Sequence, residues 1–312
     1  MVMFGHVGRR ILHALIAFVG LIVAVFFLSR LTGNPASLYL PINASQELRD
    51  QFAEQHGLND PLWQQFVDFL GGLVRFDLGT SLLDGRSAMT IVREAVPWSL
   101  GLAGIAMLIA VVVAVPLGAA AARRPGSWPD RIASNLTLLT ASVPDFWLAL
   151  GAIFVFAVTL GWLPVAGTGG PAYWVLPIVV LVARPLGVLV QVSREALIHE
   201  LSSTYARAAW TKGVSERRIV GVHAMRNAVA PVITVAGDQA AAIINGAVVV
   251  ETIFGWPGIG RLMIDSILRR DFAVILACVV TTAAFIFLMN ILIELVYAWA
   301  NPRLRYETKV AR

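Results

Sequence analysis

Long, predominantly apolar runs, interrupted at only a few places by polar stretches, dominate this chain and predict helices that cross a bilayer. Such runs stand at 11–28, 98–122, 133–160, 175–192, 228–250 and 272–299, and each reaches the roughly 18 residues that a transmembrane helix needs. The expected fold is therefore all-α and polytopic, with about six transmembrane helices and both termini on one side. Residues 1–30 hold the first helix, 97–299 form the transmembrane core, and 300–312 are a tail.

Residues 31–96 are too polar to cross and too long for a simple connection, so they are expected to fold as a small external cap. Two helices are legible there. Asn43 and Gln46 have capping-box spacing for a helix that runs to His56 and is stopped by Gly57; Asp60 before Pro61 supplies a cap and a first-turn proline for the next. On that second helix Leu62, Phe66, Phe69, Leu70 and Leu73 share one face. The stripe can lie on the membrane, pack within the cap, or receive a soluble binding protein.

The most informative polar stretch is 193–234, SREALIHELSSTYARAAWTKGVSERRIVGVHAMRNAVAPVIT, set between two apolar runs. Within it 205–212 is rich in good helix formers, and Gly213 stands where a left-handed residue ends a helix. This predicts a short docking helix.

Composition agrees, since 58% hydrophobic and 14% charged residues lie far from the roughly 25% charged of a soluble domain. The basic residues set an orientation: Arg9, Arg10, Arg123, Arg124, Arg131, the cations of 193–226 and those of the tail mark cytoplasmic segments. Arg269 and Arg270 run against that trend. The net charge of +5 serves orientation and anionic headgroups, and no nucleic-acid partner is read from it. Cys278, the only cysteine, excludes a disulfide framework or cysteine metal site within one chain. The first apolar run is long for a signal-peptide core and lacks a small-residue cleavage site, so it is expected to stay as an anchor.

Ordered blocks over nearly the whole chain carry a family resemblance. GLNDPLWQQFVDFL at 57–70, FDLGTS at 76–81, VPDFW at 143–147, GWLP at 161–164, NGAVVVETIFGWPGIGRL at 245–262 and NILIELVYAWANPRLR at 290–305 all resemble the dipeptide, oligopeptide and nickel permeases of ATP-driven importers. So do Tyr205, Ala206, Arg207, Ala208, Ala209, Lys212 and Gly213, followed by His223, Ala224, Arg226, Asn227 and Pro231. These last are similar to that family's cytoplasmic coupling loop, here 193–228, although Arg207 stands where the wider family's motif has Glu. Glu294 and Asn301 likewise stand where Asp is common.

The resemblance implies a transport subunit of the bacterial cytoplasmic (inner) membrane, not an enzyme. It would form half of a solute pathway with a second, homologous permease. Two cytoplasmic subunits would bind ATP and Mg and hold the coupling helices, and an extracytoplasmic binding protein would deliver the solute. A short peptide, a nickel chelate, glutathione or another peptide-like solute fits equally. The residues themselves agree that ATP is hydrolysed elsewhere: a phosphate loop needs glycines before its lysine, and neither Lys212 nor Lys309 has them. No cofactor is expected on this chain. Gly255, Gly258 and Gly260, with Trp256 and Pro257, suit a tight external turn, and His199 with Glu200 lacks the second histidine of a zinc site.

Charges inside the apolar runs are the remaining chemistry. Asp145, Arg184 and Asp238 each lie about ten to twelve residues from a run's end, near mid-depth at about 1.5 Å per residue. They can lock helices as an ion pair, line a polar path that meets the solute, or face a wet cavity. Asn245 and Asn290 can extend that network or serve core hydrogen bonds. Pro116 and Pro144 are expected to kink the second and third spans. Glu251 and Phe254, beside Pro257, Gly258 and Gly260, belong to the external turn, where Glu251 can fix the loop or touch the binding protein. An ion-gradient-driven transporter that couples through Asp145, Arg184 and Asp238 is the alternative, and it needs no docking loop.

Overall fold

The computed structural model describes residues 12, 15–27, 45–55, 59–81 and 83–300. Arg9, Arg10, Asn43, His56, Gly57 and the tail beyond 300, Asn301 included, lie outside them, as do the side chains of Asn245 and Glu294. In chain order the helices are α1 (Leu15–Phe27), α2 (Gln46–Gln55), α3 (Leu62–Val74), α4 (Ala88–Arg123), α5 (Trp128–Ser142), α6 (Asp145–Ala152), α7 (Ala172–Leu201), α8 (Thr204–Thr211), α9 (Met225–Ile253), α10 (Ile259–Arg269) and α11 (Phe272–Ala300). A π-helical stretch, Ile153–Thr159, continues α6; a second, Ile219–Ala224, leads into α9 from a single turn at Glu216–Arg218. Among the described residues the only β feature is one bridge, Thr80 to Ser87.

The all-α, polytopic architecture is the one expected, with differences in the spans. Among the described residues, four helical segments are long and apolar enough to cross a membrane: Ala88–Arg123, Ala172–Leu201, Glu216–Ile244 and Phe272–Ile293. The run at 133–160, expected as one span, is instead α5 and α6 with its π stretch, bent by 101°. Pro144 causes the break. It removes an amide donor and pushes Val143 out of the helical region, to φ −99° and ψ 121°. Pro116, by contrast, sits inside an unbroken α4. The bend also removes the basis for counting Asp145 to mid-depth, because rise per residue adds up only along a straight helix; Asp145 is in the first turn of α6.

The described residues divide into two compact units, Ser99–Trp256 with residues 288–300, and the described part of Arg10–Trp98 with Pro257–Phe287. The second unit is built on an apolar core of Ile22, Val92, Val274, Ala277 and Cys278. Phe66 and Phe69 of the α3 stripe lie against Phe26 of α1 with tilted rings, at 5.2 and 5.3 Å between ring centres, whereas Leu62 remains 52% exposed. Phe69, Leu70 and Leu73 of the stripe pack, partly buried, against that core. The caps differ from those expected: the Ser45 hydroxyl accepts the Leu48 amide at the start of α2, and Pro61 stands at the N-cap of α3 with no side-chain cap from Asp60.

The segment 76–87 of that unit folds back on itself. Asp77 accepts the Gly79 amide, Ser81 N–H donates to the Arg86 carbonyl, and the Ser81 hydroxyl donates to Asp271. Asp271 is buried just before α11 and also accepts the Val274 amide at 3.4 Å, so it caps that helix. The amphipathic α10, not foreseen from the sequence, places Leu262 and Met263 against the same core.

In the first unit α7 is the centre, packed by α5, α6 and α9. Close approach depends on small residues, as is common where helices meet inside membranes. A Cβ on Gly187 would lie 2.1 Å from Thr140 Oγ1, and Thr137 Oγ1 donates to the Gly187 carbonyl at 2.9 Å. A Cβ on Gly118 of α4 would lie 2.6 Å from Ser193 Cβ.

Candidate functional site

The block 193–234 builds a short helix with a defined stop at each end. Ser203, extended at φ −67° and ψ 159°, caps α8 by accepting the Ala206 amide. At the other end Lys212 is the C-cap and Gly213 takes φ +75°. The Gly213 amide donates to the Trp210 carbonyl at 3.0 Å and the Val214 amide to the Ala209 carbonyl at 3.1 Å, the paired bonds of a Schellman motif. Ala206 is fully buried and Ala209 half-buried, while Tyr205, Arg207, Ala208, Trp210 and Lys212 are exposed. The outward face of α8 therefore offers two cations and an indole.

Three side chains tie this helix to its neighbours. Tyr205 O–H donates to Glu200 Oε2 at 2.5 Å, and Asn227 Nδ2 donates to the same oxygen at 3.0 Å and to the Tyr205 hydroxyl at 3.3 Å. Glu200 ends α7 and Asn227 begins α9, so one carboxylate joins three helices. Burial, and then the bond to Glu200, push the Tyr205 phenol above its ordinary ionisation range, so it remains a donor at neutral pH. Arg123 donates to Glu216 at 2.8 Å, and Arg194 donates to Asp130, which also accepts the Gly126 amide at 2.7 Å. The segments at 123–130, 194 and 216 thus meet at one end of the unit. The ties of Glu200 to Asn227 and of Asp130 to Arg194 give no signal in the local pattern, because they span 27 and 64 residues.

The intramembrane charges do not form the expected ion pair. Among the described residues neither Asp145 nor Asp238 comes within 4.0 Å of the Arg184 guanidinium. Asp145 and Arg184 instead share the wall of a cavity of about 410 Å³ between α6, α7 and α9, together with Gln239 and Gly246. Asp238, the neighbour of Gln239, is exposed and does not line it.

The turn after α9 is anchored by burial. Glu251 is fully buried and accepts the Ser99 hydroxyl at 2.6 Å, a position from which it presents no surface. Phe254 is buried, its carbonyl accepts the Gly167 amide at 2.9 Å, and Trp256 meets Trp174 edge-on at 4.5 Å. In the other unit Pro257 and Gly258 border a cavity of about 380 Å³ with Glu94, Trp98 and Arg261, and Gly260 is buried in the first turn of α10. No cluster of three or more metal-ligating side chains forms among the described residues.

Known proteins are similar to this chain over almost its full length. Residues 114–306 match the family described as a binding-protein-dependent transport system inner membrane component. An oligopeptide transport system permease protein of Bacillus subtilis is 33% identical over 319 residues, covering 97% of this chain and 100% of that protein. A glutathione transport system permease protein of Escherichia coli is 34% identical over 306 residues, covering 98% of this chain and 100% of that protein.

Proposed function

Because the chain belongs to the family of binding-protein-dependent transport system inner membrane components, we propose that it forms one half of the solute pathway of an ATP-driven importer for peptides or peptide-like solutes. A second, homologous permease supplies the other half. Two cytoplasmic subunits bind and hydrolyse ATP with Mg, and an extracytoplasmic binding protein delivers the solute. The end of the chain carrying α8 and the basic loops faces the cytoplasm, by the excess of Arg and Lys there.

The observation that carries the reading is α8 itself, a fully capped helix with an exposed face and a rigid mount. An eight-residue helix is too short to be stable alone, so its caps and its Glu200 and Asn227 bonds hold it ready for a partner. ATP binding would draw the two coupling helices of the complex together. Since α8 is fastened to both α7 and α9, that displacement reaches the two helices that carry Arg184 and Gln239. Access to the cavity between them then changes by rigid-body movement of packed elements, the usual form of such switches. Solute choice between peptide and glutathione, the substrates named for the relatives, rests largely with the binding protein.

Affinity purification of this chain from its native membrane should bring down an ATPase subunit. The purified complex in proteoliposomes, with its binding protein, should take up trialanine or glutathione in the presence of ATP, undiminished by a protonophore. Uptake abolished by the protonophore but indifferent to ATP would favour the ion-gradient alternative and overturn this reading.

A further inference from the structure

The cavity between α6, α7 and α9 holds one acid and one base that do not neutralise each other. Its volume of about 410 Å³ suits a small solute, and its lining is apolar apart from Asp145, Arg184 and Gln239. Gly246 faces the acid: a Cβ there would lie 3.6 Å from Asp145 Oδ2, so any longer side chain would cover the carboxylate that glycine leaves open. Arg184 is exposed and Asp145 half-buried; an arginine on a membrane-crossing helix is not left against lipid, and each charge is open to a partner of opposite sign on a solute.

We infer that this cavity is a transit site for small zwitterionic peptides, in which Arg184 receives the solute's carboxylate and Asp145 its ammonium group. Gln239, able to donate and accept, is placed to meet a peptide bond. This rests on the proposed function and adds to it a recognition step inside the membrane, after the binding protein has released its cargo. A site that also prefers free termini would keep a peptide oriented through the passage, while apolar walls tolerate varied side chains.

The test compares trialanine with trialanine amide and N-acetyl-trialanine in proteoliposomes containing the whole complex and one common binding protein. The binding protein's own preference is the same in every arm, so the ratio of uptake, free over blocked, isolates the permease. Arg184→Gln should lower the free-to-amide ratio about tenfold relative to wild type, and Asp145→Asn should lower the free-to-acetyl ratio similarly, since each removes one charge-assisted contact. Arg184→Lys should keep most of the preference. Unchanged ratios in assembled variants would overturn the inference, even with reduced overall uptake, because the charges would then serve a structure or the second permease. Failure of both neutral variants to assemble would overturn it too. Absence of ATP-driven uptake by the wild type would instead strike the proposed function, and the inference with it.

Discussion

Replacing Gly213 by valine lowers ATP-driven uptake and binding-protein-stimulated ATP hydrolysis together, by about tenfold or more, while the protein still inserts and binds its second permease. Gly213 holds φ +75°, where a β-branched residue is a genuine outlier and an L-residue costs about 1–2 kcal/mol. The two amide bonds that close α8, from Gly213 and Val214, depend on that conformation. No neighbouring atom lies within 4 Å of a Cβ built there, so the defect is one of backbone and not of packing. Asparagine tolerates the left-handed region better, and Gly213→Asn should retain most of the activity. Both rates are measured on the reconstituted complex; wild-type rates in the valine variant would contradict the role given to α8.

Asp271→Ala destabilises the unit of α3, α10 and the start of α11 by about 2–4 kcal/mol, from two losses. One is the cap on α11, worth about 1 kcal/mol. The other is the acceptor of the buried Ser81 hydroxyl, which is 2% exposed, and an orphaned donor costs about 1–3 kcal/mol. Thermal melting of the purified complex should show a lowered midpoint, and adding Ser81→Ala should recover part of the loss because it removes the orphan. A midpoint unchanged by Asp271→Ala would mean the pair fastens nothing.

What was legible in the sequence was local. The α8 helix and its glycine stop could be read because helix propensity and a left-handed C-cap act within a few residues, and the Schellman bonds join Gly213 and Val214 to residues three and five earlier. The long apolar runs likewise announced their helices, since a bilayer demands length and hydropathy more than pattern. The sequence predicts a kink at Pro144 and the helix breaks there, because the preference of the preceding Val143 for extended backbone outweighs the apolar continuity around it. The amphipathic α10 carries no such signal, being too short and too charged for a span.

Contacts across long separations left no local trace. Ser81 meets Asp271 from 190 residues away, and Ser99 meets Glu251 from 152. The resemblance pointed to the FDLGTS and ETIFGW blocks without giving a reason for their residues; the folded chain supplies one, as Asp77 and Ser81 shape and fasten one loop while Glu251, Phe254 and Trp256 are buried to hold another. Counting along straight helices makes the three charges equivalent. Bending at Pro144 brought Asp145 to the cavity wall of Arg184, and one residue of helical rotation left Asp238 outside it with Gln239 within.

The central claim is that α8 is the contact through which a separate ATPase drives this chain, and a photocrosslink tests it most directly. Trp210, 43% exposed on the outward face of α8, is replaced by benzoylphenylalanine, another aromatic residue, and membranes of the native organism are irradiated. The account predicts an adduct with a cytoplasmic ATP-binding subunit, weakened in the Gly213→Val background. Adducts only with lipid or with the other permease, from a complex that still transports, would contradict it.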